Sequence, residues 1–417
     1  MPRCVADLHI HSKYSRATSP NMELEGLSEW GKIKGIDVIG TGDFTHPKWI
    51  KELKEKAIEE DSGLLLFNGQ HFMLTVELSS IYTDKGRGRR IHQVVLAPSL
   101  EVAEQINERL KKKGANLASD GRPIMGLSAP DIVETIMEIS PKCMVIPAHA
   151  WTPWFSVFGS KSGFDSVKEC YGDMEKHIYA LETGLSSDPS MNWRVSSLDK
   201  YALVSNSDSH SPQKIGREAN VFELNRLTYE DITDAIKDRE SKRFKLTYEF
   251  YPEEGKYHLD GHRDCGVRLT PAQTKKLKGL CPKCGKPVTI GVQYRVEELA
   301  DREEGYVPKG AVPFEKLVPL VEIIAKVLGG TTASKKVLEM YAVLVKAFGN
   351  EIKVLHAPFE QLKSASNEKI AKAICDVREG NITFLAGYDG TYGELQFGKR
   401  TIKQEDYTST QKSITDF

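Results

Sequence analysis

The sequence predicts an α/β fold followed by a small metal-binding module and a helical domain, and three observations predict it. From residue 4 to about 250, short β-branched runs alternate with helix-patterned segments. Such alternation favours parallel strands joined by helices, as a barrel or an open sheet. From about 251 to 291 the chain becomes short-patterned, Gly-containing and cysteine-bearing, and from 314 onward apolar residues recur at helical spacing.

The elements follow in order. A strand is read at 5–10 and a helix at 22–34, then a strand at 36–40 and a helix at 47–60. Residues 64–67 read as a strand, 129–139 as a helix, and 144–148 and 201–205 as strands. In the last part, helices are read at 314–328, stopped by Gly329-Gly330, at 334–348 after a Thr-rich cap, and at 367–379. The domain boundaries expected are 1–250 for a catalytic domain, 251–305 for the metal module, 306–380 for the helical domain and 381–417 for a C-terminal segment with a polar tail.

At 417 residues with 40% hydrophobic and 28% charged content, the chain can bury a sizeable core in two or three domains. Its first twelve residues hold no signal-peptide-like apolar run, and no stretch of about 18 uncharged apolar residues occurs. A soluble, cytoplasmic, nucleoid-associated protein with no membrane partner is expected. Net charge is −1, so affinity for a polyanion must come from local patches. Seven cysteines, an odd number with Cys265, Cys281 and Cys284 close together, argue for metal over a disulfide framework.

The chemistry-bearing residues recur just beyond strand-like runs. Asp7-Leu8-His9-Ile10-His11 puts two imidazoles on one face of a strand. Gly42-Asp43-Phe44-Thr45-His46, Glu77, His92, Ala148-His149 and Asp208-Ser209-His210 follow. One strand-end histidine is usually a satisfied polar group. Six of the chain's 11 histidines in this pattern, with the carboxylates Asp43, Glu77 and Asp208, point to shared divalent metals at the rim where parallel strands end. A carboxylate such as Glu77 can bridge two ions, activating water and neutralising a leaving phosphate oxygen.

Cys265, fifteen intervening residues, then Cys281-x2-Cys284 is the knuckle spacing of a structural zinc site. His262, separated from Cys265 by two residues as Cys281 is from Cys284, is the expected fourth ligand, with His258 the substitute. Such a closed site contributes folding energy to a segment too short to bury its own core.

Taken in order, the histidine and carboxylate motifs over about 5–212 resemble the PHP superfamily of metallohydrolases. That resemblance implies a distorted (βα)7 barrel holding two or three divalent ions (Zn, Mn or Mg). It implies that His9, His11, Glu77 and Asp208 serve one ion, Glu77 with His92 and His149 a second, and His46 with His210 a third. Asp43 would be a ligand or a partner to one, and Asp208, Glu77 and Asp43 the carboxylates of the catalytic step. The sequence departs from the family pattern after the first pair, where a further histidine is replaced by Lys13-Tyr14-Ser15-Arg16. The implied chemistry is phosphoester hydrolysis by metal-activated water, with no covalent enzyme intermediate.

Candidate contacts to nucleic acid lie around these motifs. Lys85, Arg87, Arg89 and Arg90 crowd the approach to His92, Lys13 and Arg16 follow the first pair, and Trp151 and Trp154, with Phe155, follow His149. The basic residues suit phosphates and the aromatics suit an extruded base. With the ribbon-like segment and Gly387-Tyr-Asp-Gly-Thr-Tyr-Gly-Glu394, nearly the whole chain resembles the endonuclease Q family of DNA repair nucleases. The resemblance implies cutting on the 5′ side of deaminated bases (hypoxanthine, uracil, xanthine) and of abasic sites, in double- or single-stranded DNA. The damaged base would be flipped into a pocket, with Tyr388, Asp389 and Tyr392 as candidate readers. The tail Gln411-Lys-Ser-Ile414-Thr-Asp-Phe417 is similar to a sliding-clamp binding motif through Gln411, Ile414 and Phe417. Two rival readings are a small-molecule phosphatase or phosphodiesterase of the histidinol-phosphate type, and a non-catalytic DNA-binding accessory protein.

Overall fold

The computed structural model describes residues 2–397. Besides the short strands Ile58–Glu59, Leu65–Phe67 and Ile124–Met125, seven strands frame the first half: β1 (Arg3–Asp7), β2 (Val38–Gly40), β3 (Gln70–Asp84), β4 (Arg87–Ala97), β5 (Met144–Pro147), β6 (Ala180–Glu182) and β7 (Ala202–Val204). β1, β2 and β3 pair in parallel, β3 with β4 and β4 with β5 antiparallel, and β6 with β7 in parallel. Single parallel bridges at Val145–Ile178 and Ile10–Ser209 link β5 to the entry of β6, and the segment after β1 to that after β7. The pairings therefore lead round all seven strands and back.

These strands are covered on both faces, which is why they read as continuous apolar runs: every residue of β2, β5 and β6 is buried. The covering helices have local signals. Leu24–Lys34 stops at Gly35, whose φ of 85° suits glycine alone at low cost. Ala129–Ile139 starts from a Ser128/Asp131 capping box with Pro130 in its first turn. Pro47–Lys56 packs Trp49 into the core, where its indole N–H donates to the carbonyls of Thr41 and Gly42.

Three expectations change. β4 runs antiparallel to both neighbours, because Lys85-Gly86, both at positive φ (47° and 76°), close a two-residue hairpin matched to strand twist. Arg87, Arg89 and Arg90 are thus strand residues. The helix read over 47–60 ends at Lys56, and a short strand, Ile58–Glu59, follows. The segment read as one helix over 314–328 is a strand, Phe314–Leu317, then Pro319 and the helix Leu320–Leu328. Two further strands, β8 (Ala219–Glu223) and β9 (Phe244–Phe250), extend the sheet from β1, and Phe314–Leu317 adds β10 alongside β9.

The cysteine-bearing segment is a hairpin, Asp260–His262 with Val267–Leu269, around the small apolar cluster of Val267, Leu269, Cys281 and Val288. Five helices from Leu320 to Arg378 follow, and Ile382–Leu385 pairs with Glu394–Phe397. Buried Glu351 joins this helical region to the first half, accepting from Lys34 Nζ (2.5 Å), Tyr341 Oη (2.5 Å) and the Leu320 N–H (3.0 Å). Among the described residues no helix is long and apolar enough to cross a membrane.

Candidate active site

Where β1, β2, β5, β6 and β7 end, and midway along the β3–β4 hairpin, the predicted side chains converge. His9 and His11 follow β1, Asp43 follows β2, His149 follows β5, and Asp208 and His210 follow β7, while Glu77 and His92 face inward from β3 and β4. Three groups place their ligand atoms within 4.8 Å of one another: His9, His11 and Glu77; Glu77, His92 and His149; and His11, Asp208 and His210. Glu77 joins the first two and His11 the first and third.

Glu77 Oε1 lies 2.6 Å from His92 Nδ1 and 3.0 Å from His149 Nε2, and its Oε2 lies 3.4 Å from His11 Nε2. His92 Nδ1 and His149 Nε2 are themselves 3.3 Å apart. Ring nitrogens that close repel through their lone pairs unless a proton or a cation lies between them. His9 Nε2 is buried with no hydrogen-bond partner, 3.7 Å from Glu77 and 3.8 Å from Asp208. An orphaned imidazole nitrogen facing two carboxylates in a buried cluster fits a divalent cation.

The electrostatics agree. Burial alone would raise the Glu77 carboxyl, yet His92, His11, His149 and His9 hold it well below its usual range. Asp208, against the same burial, is held far down by His11 and His9. Burial pushes the His92 imidazole down to about 4, so it presents a neutral, ligating ring.

The surroundings orient these rings. His9 Nδ1 lies 3.0 Å from both oxygens of Glu182, at the end of β6, which leaves Nε2 free for the cluster. Glu182 also accepts from Asn206 Nδ2 (2.9 Å) and the His149 N–H (2.8 Å). Glu182 was not among the predicted residues, although it ends an apolar run, Tyr179-Ala-Leu-Glu182, like the others. Arg122, also missed, sets Nη1 3.3 Å from Glu77 Oε2 and comes from a loop with no local signal.

Asp43 accepts from the Ser12 N–H (2.6 Å) and Oγ (2.7 Å) and faces His11 Nδ1 at 3.1 Å, so it fixes His11. His46 is in none of the three groups: its ring stacks on Tyr14 at 4.4 Å, and burial lowers its pKa.

The cluster opens into a cleft of about 600 Å³ bordered by His92, His149, Asp208 and His210 and by the aromatics Trp154, Phe155, Tyr257 and Tyr392. Phe155 lies 4.4 Å from the His92 ring, and Trp154 meets Tyr257 edge-on at 5.5 Å. Trp151 does not join this wall: it is 1% exposed, and its indole donates to Asn192 Oδ1, because the turn after His149 points it into the core. Tyr392 is exposed with Lys256 Nζ 4.6 Å above its ring. Tyr388 and Asp389 pack instead on the cysteine module, Asp389 accepting the Arg263 N–H at 2.6 Å and Arg268 lying 4.7 Å over Tyr388.

Among the basic candidates, Lys85, Arg87 and Arg90 are exposed on the hairpin and Arg16 is 77% exposed beside Asp120. Lys13 is paired with Glu23 (2.9 Å) and Glu52 (3.0 Å). Arg89 is buried, donating to the Gly163 carbonyl and lying 3.8 Å over Phe164, so it holds the hairpin and not a ligand.

His262, Cys265, Cys281 and Cys284 bring one ligand atom each within 4.8 Å of one another, His262 Nδ1 being 3.6 Å from Cys284 Sγ. His258 is buried outside that group. Gln411, Ile414 and Phe417 lie outside the described residues.

Residues 319–381 match the family described as the MJ0043 C-terminal domain, and residues 194–241 the PHP-associated family. The chain is 35% identical over 263 residues to the uncharacterized protein MJ0043 of Methanocaldococcus jannaschii, covering 61% of this chain and 32% of that protein. It is 31% identical to the uncharacterized protein YqxK of Bacillus subtilis, over 95% of this chain and all of that one. A solved structure of the lesion-specific endonuclease Q of Pyrococcus furiosus superposes with a TM-score of 0.85 at 36% identity, over 99% of this chain and 100% of that one. A second, endonuclease Q with a 27-mer duplex bearing an abasic lesion at its active site, also gives 0.85 and 36%, over 98% of each chain. With this full-length likeness on top of the PHP-type cluster, the chain belongs to the endonuclease Q family of the PHP superfamily.

Proposed function

We propose that this chain is a metal-dependent DNA endonuclease that hydrolyses the phosphodiester on the 5′ side of deaminated bases (hypoxanthine, uracil, xanthine) and of abasic sites. The observation that carries the reading is the full-length likeness to a lesion-specific endonuclease at 36% identity. The described seven-strand ring is read as the distorted (βα)7 barrel, with the cysteine module and the helical region appended.

His9, His11, Glu77 and Asp208 would hold one divalent ion, Glu77, His92 and His149 a second, and His11, Asp208 and His210 would serve a third. Ions bound there would supply water activation and neutralise charge building on the phosphate. The chain's own part is positional. Glu182 and Asp43 hold the His9 and His11 rings in register, and His92 stays neutral and available. Trp154, Phe155, Tyr257 and Tyr392 offer apolar faces beside the cluster on which an unstacked base could lie. His262, Cys265, Cys281 and Cys284 have the donor set of a structural zinc site. The tail 411–417 would tether the enzyme to a sliding clamp.

The test uses four end-labelled duplexes carrying inosine, uracil, an abasic site or no lesion, incubated with and without chelator. Chelator-sensitive nicks 5′ of the lesions, with the intact duplex uncut, are expected. Equal cutting of all four would replace lesion recognition with general nuclease activity, and no cutting with any divalent metal would end the reading.

A further inference from the structure

We propose that Arg122 is a catalytic residue that grips a non-bridging oxygen of the scissile phosphate beside Glu77; the inference rests on the endonuclease reading above. Arg122 borders the cleft, its side chain is 25% exposed, and among the described residues its side chain hydrogen-bonds through Nη1 to Glu77 Oε2 at 3.3 Å. A guanidinium has five N–H donors in a fixed fork, so donors remain for a ligand. Glu77 also faces four imidazoles within 3.7 Å, so Arg122 is one of five groups around its carboxylate. Divalent ions occupying Glu77 and Asp208 would draw those carboxylates away from the guanidinium and leave it facing the cleft, with Asp120 behind it.

The backbone beneath it is held on two sides. The Gly121 N–H donates to the Tyr14 carbonyl (3.1 Å), the Arg122 N–H to Asp120 Oδ1 (3.1 Å), and the Ser79 N–H to the Pro123 carbonyl (3.1 Å). A Cβ on Gly121 would meet Asp43 Oδ2 at 2.3 Å and Ser15 Oγ at 2.5 Å, so the loop is pressed against the turn that orients His11. A guanidinium carried on such a support is pre-positioned relative to the ligand carboxylates. Of the other cations at the cleft, Arg217 donates through Nε (3.0 Å) and Nη2 (2.8 Å) to the Ser207 carbonyl, Lys256 lies over Tyr392, and Lys214 also borders the cleft.

In the hydrolysis, the water oxygen bonds to phosphorus as the ester P–O bond breaks; one water proton ends on the leaving oxygen and the other stays on the new phosphate hydroxyl or passes to solvent. Negative charge builds on the non-bridging oxygens. The Arg122 guanidinium stays protonated throughout and supplies N–H donors to that charge, exchanging no proton.

The experiment compares full-length wild type, Arg122→Ala and Arg122→Lys. Bound divalent metal per chain is measured by elemental analysis, and duplex binding by stopped-flow fluorescence anisotropy of the metal-loaded protein, read before cutting. The abasic duplex carries either a normal phosphate or a neutral methylphosphonate at the scissile position. Wild type should lose about tenfold in affinity when that charge is removed, Arg122→Ala should have lost it already and lose no more, and Arg122→Lys should recover part of it. Metal content should be unchanged. Wild-type affinity and a full methylphosphonate penalty in Arg122→Ala would overturn the inference. So would loss of bound metal in Arg122→Ala with the penalty intact, which makes Arg122 a positioning residue for Glu77. Wild type that neither binds nor cuts any lesion duplex would bring down the endonuclease reading itself.

Discussion

Glu182→Gln isolates the orientation of His9 from every direct ligand. The carboxylate is fully buried and receives three donors: His9 Nδ1 at 3.0 Å, Asn206 Nδ2 at 2.9 Å and the His149 N–H at 2.8 Å. Glutamine has the same shape but one acceptor oxygen. If its NH₂ takes the Oε1 place it faces Asn206 Nδ2, and Asn206 cannot flip because its Oδ1 accepts the Leu8 N–H (2.8 Å) and Asn220 Nδ2 (2.9 Å). If it takes the Oε2 place it faces the His149 N–H. Either orientation strands a buried donor, at about 1–3 kcal/mol, and removes the anion that makes His9 a strong donor. Loss of such a partner costs about 10–100-fold in metal affinity. Elemental analysis at a series of free metal concentrations should show the cluster filling at about ten times higher metal or more, with the cysteine site unaffected, alongside a lower melting temperature. A Glu182→Gln protein that fills at wild-type metal and nicks at the wild-type rate would refute the reasoning.

Cys281→Ser should remove about one tightly bound metal ion per chain and lower the melting temperature, while inductively coupled plasma analysis still finds the ions of the histidine cluster. Arg87→Ala should leave stability unchanged and reduce the slope of log affinity against log salt by about 0.9. Arg89→Ala should destabilise by about 2 kcal/mol or more, because it empties a buried site and strands the Gly163 carbonyl. Glu254→Gln tests a pH effect. Burial, with Glu322 and Glu253 nearby, pushes the Glu254 carboxyl up to about 9, and Lys34, Lys214 and Arg217 face Glu322. The folded chain therefore keeps a proton that the unfolded chain releases, and stability falls as pH rises from the usual carboxyl range toward 9. The variant should melt like wild type at acid pH and above it at alkaline pH, and parallel melting curves across that range would exclude the effect.

Much of the site is legible in the sequence because its chemistry is rare. Paired imidazoles one residue apart, and cysteines at knuckle spacing, have few structural explanations, and His9, His11, Glu77, His92, His149, Asp208 and His210 do converge, although the strand read over 5–10 ends at Asp7 and the pair lies just beyond it. What escaped depends on tertiary contacts. Glu182 looks like any carboxylate at a strand end until His9 is seen against it, and Arg122 is one loop residue among many until the chain after it is seen pairing alongside β3. Trp151 and Trp154 are three residues apart in one turn, yet one is in the core and the other on the cleft. Arg89 and Arg90 alternate across β4, so one is buried and the next exposed, which a charge run cannot reveal without the strand's register. The strand Phe314–Leu317 reads as the start of a helix because its pairing partner lies about seventy residues earlier, in β9.

Backbone conformation adds a constraint that side-chain patterns do not contain. Asp43, His149 and Asp208 have φ of 52°, 28° and 46°. Left-handed geometry costs a non-glycine residue about 1–2 kcal/mol, and glycine at each position would remove that cost. The residues that stand there are those whose side chains meet at the cluster or orient it. The chain must turn sharply as each strand ends for groups from separate strands to face one point, and the same turn sends Asp43 onto Ser12 and His11 and His149 onto Glu77. Stability alone would favour glycine at these positions, whereas a shared ligand cluster requires a carboxylate or an imidazole. Other non-glycine residues at positive φ, such as Asn68, Lys242 and Lys278, stand at turns away from the site, whereas at these three the strain coincides with the cluster that would use it.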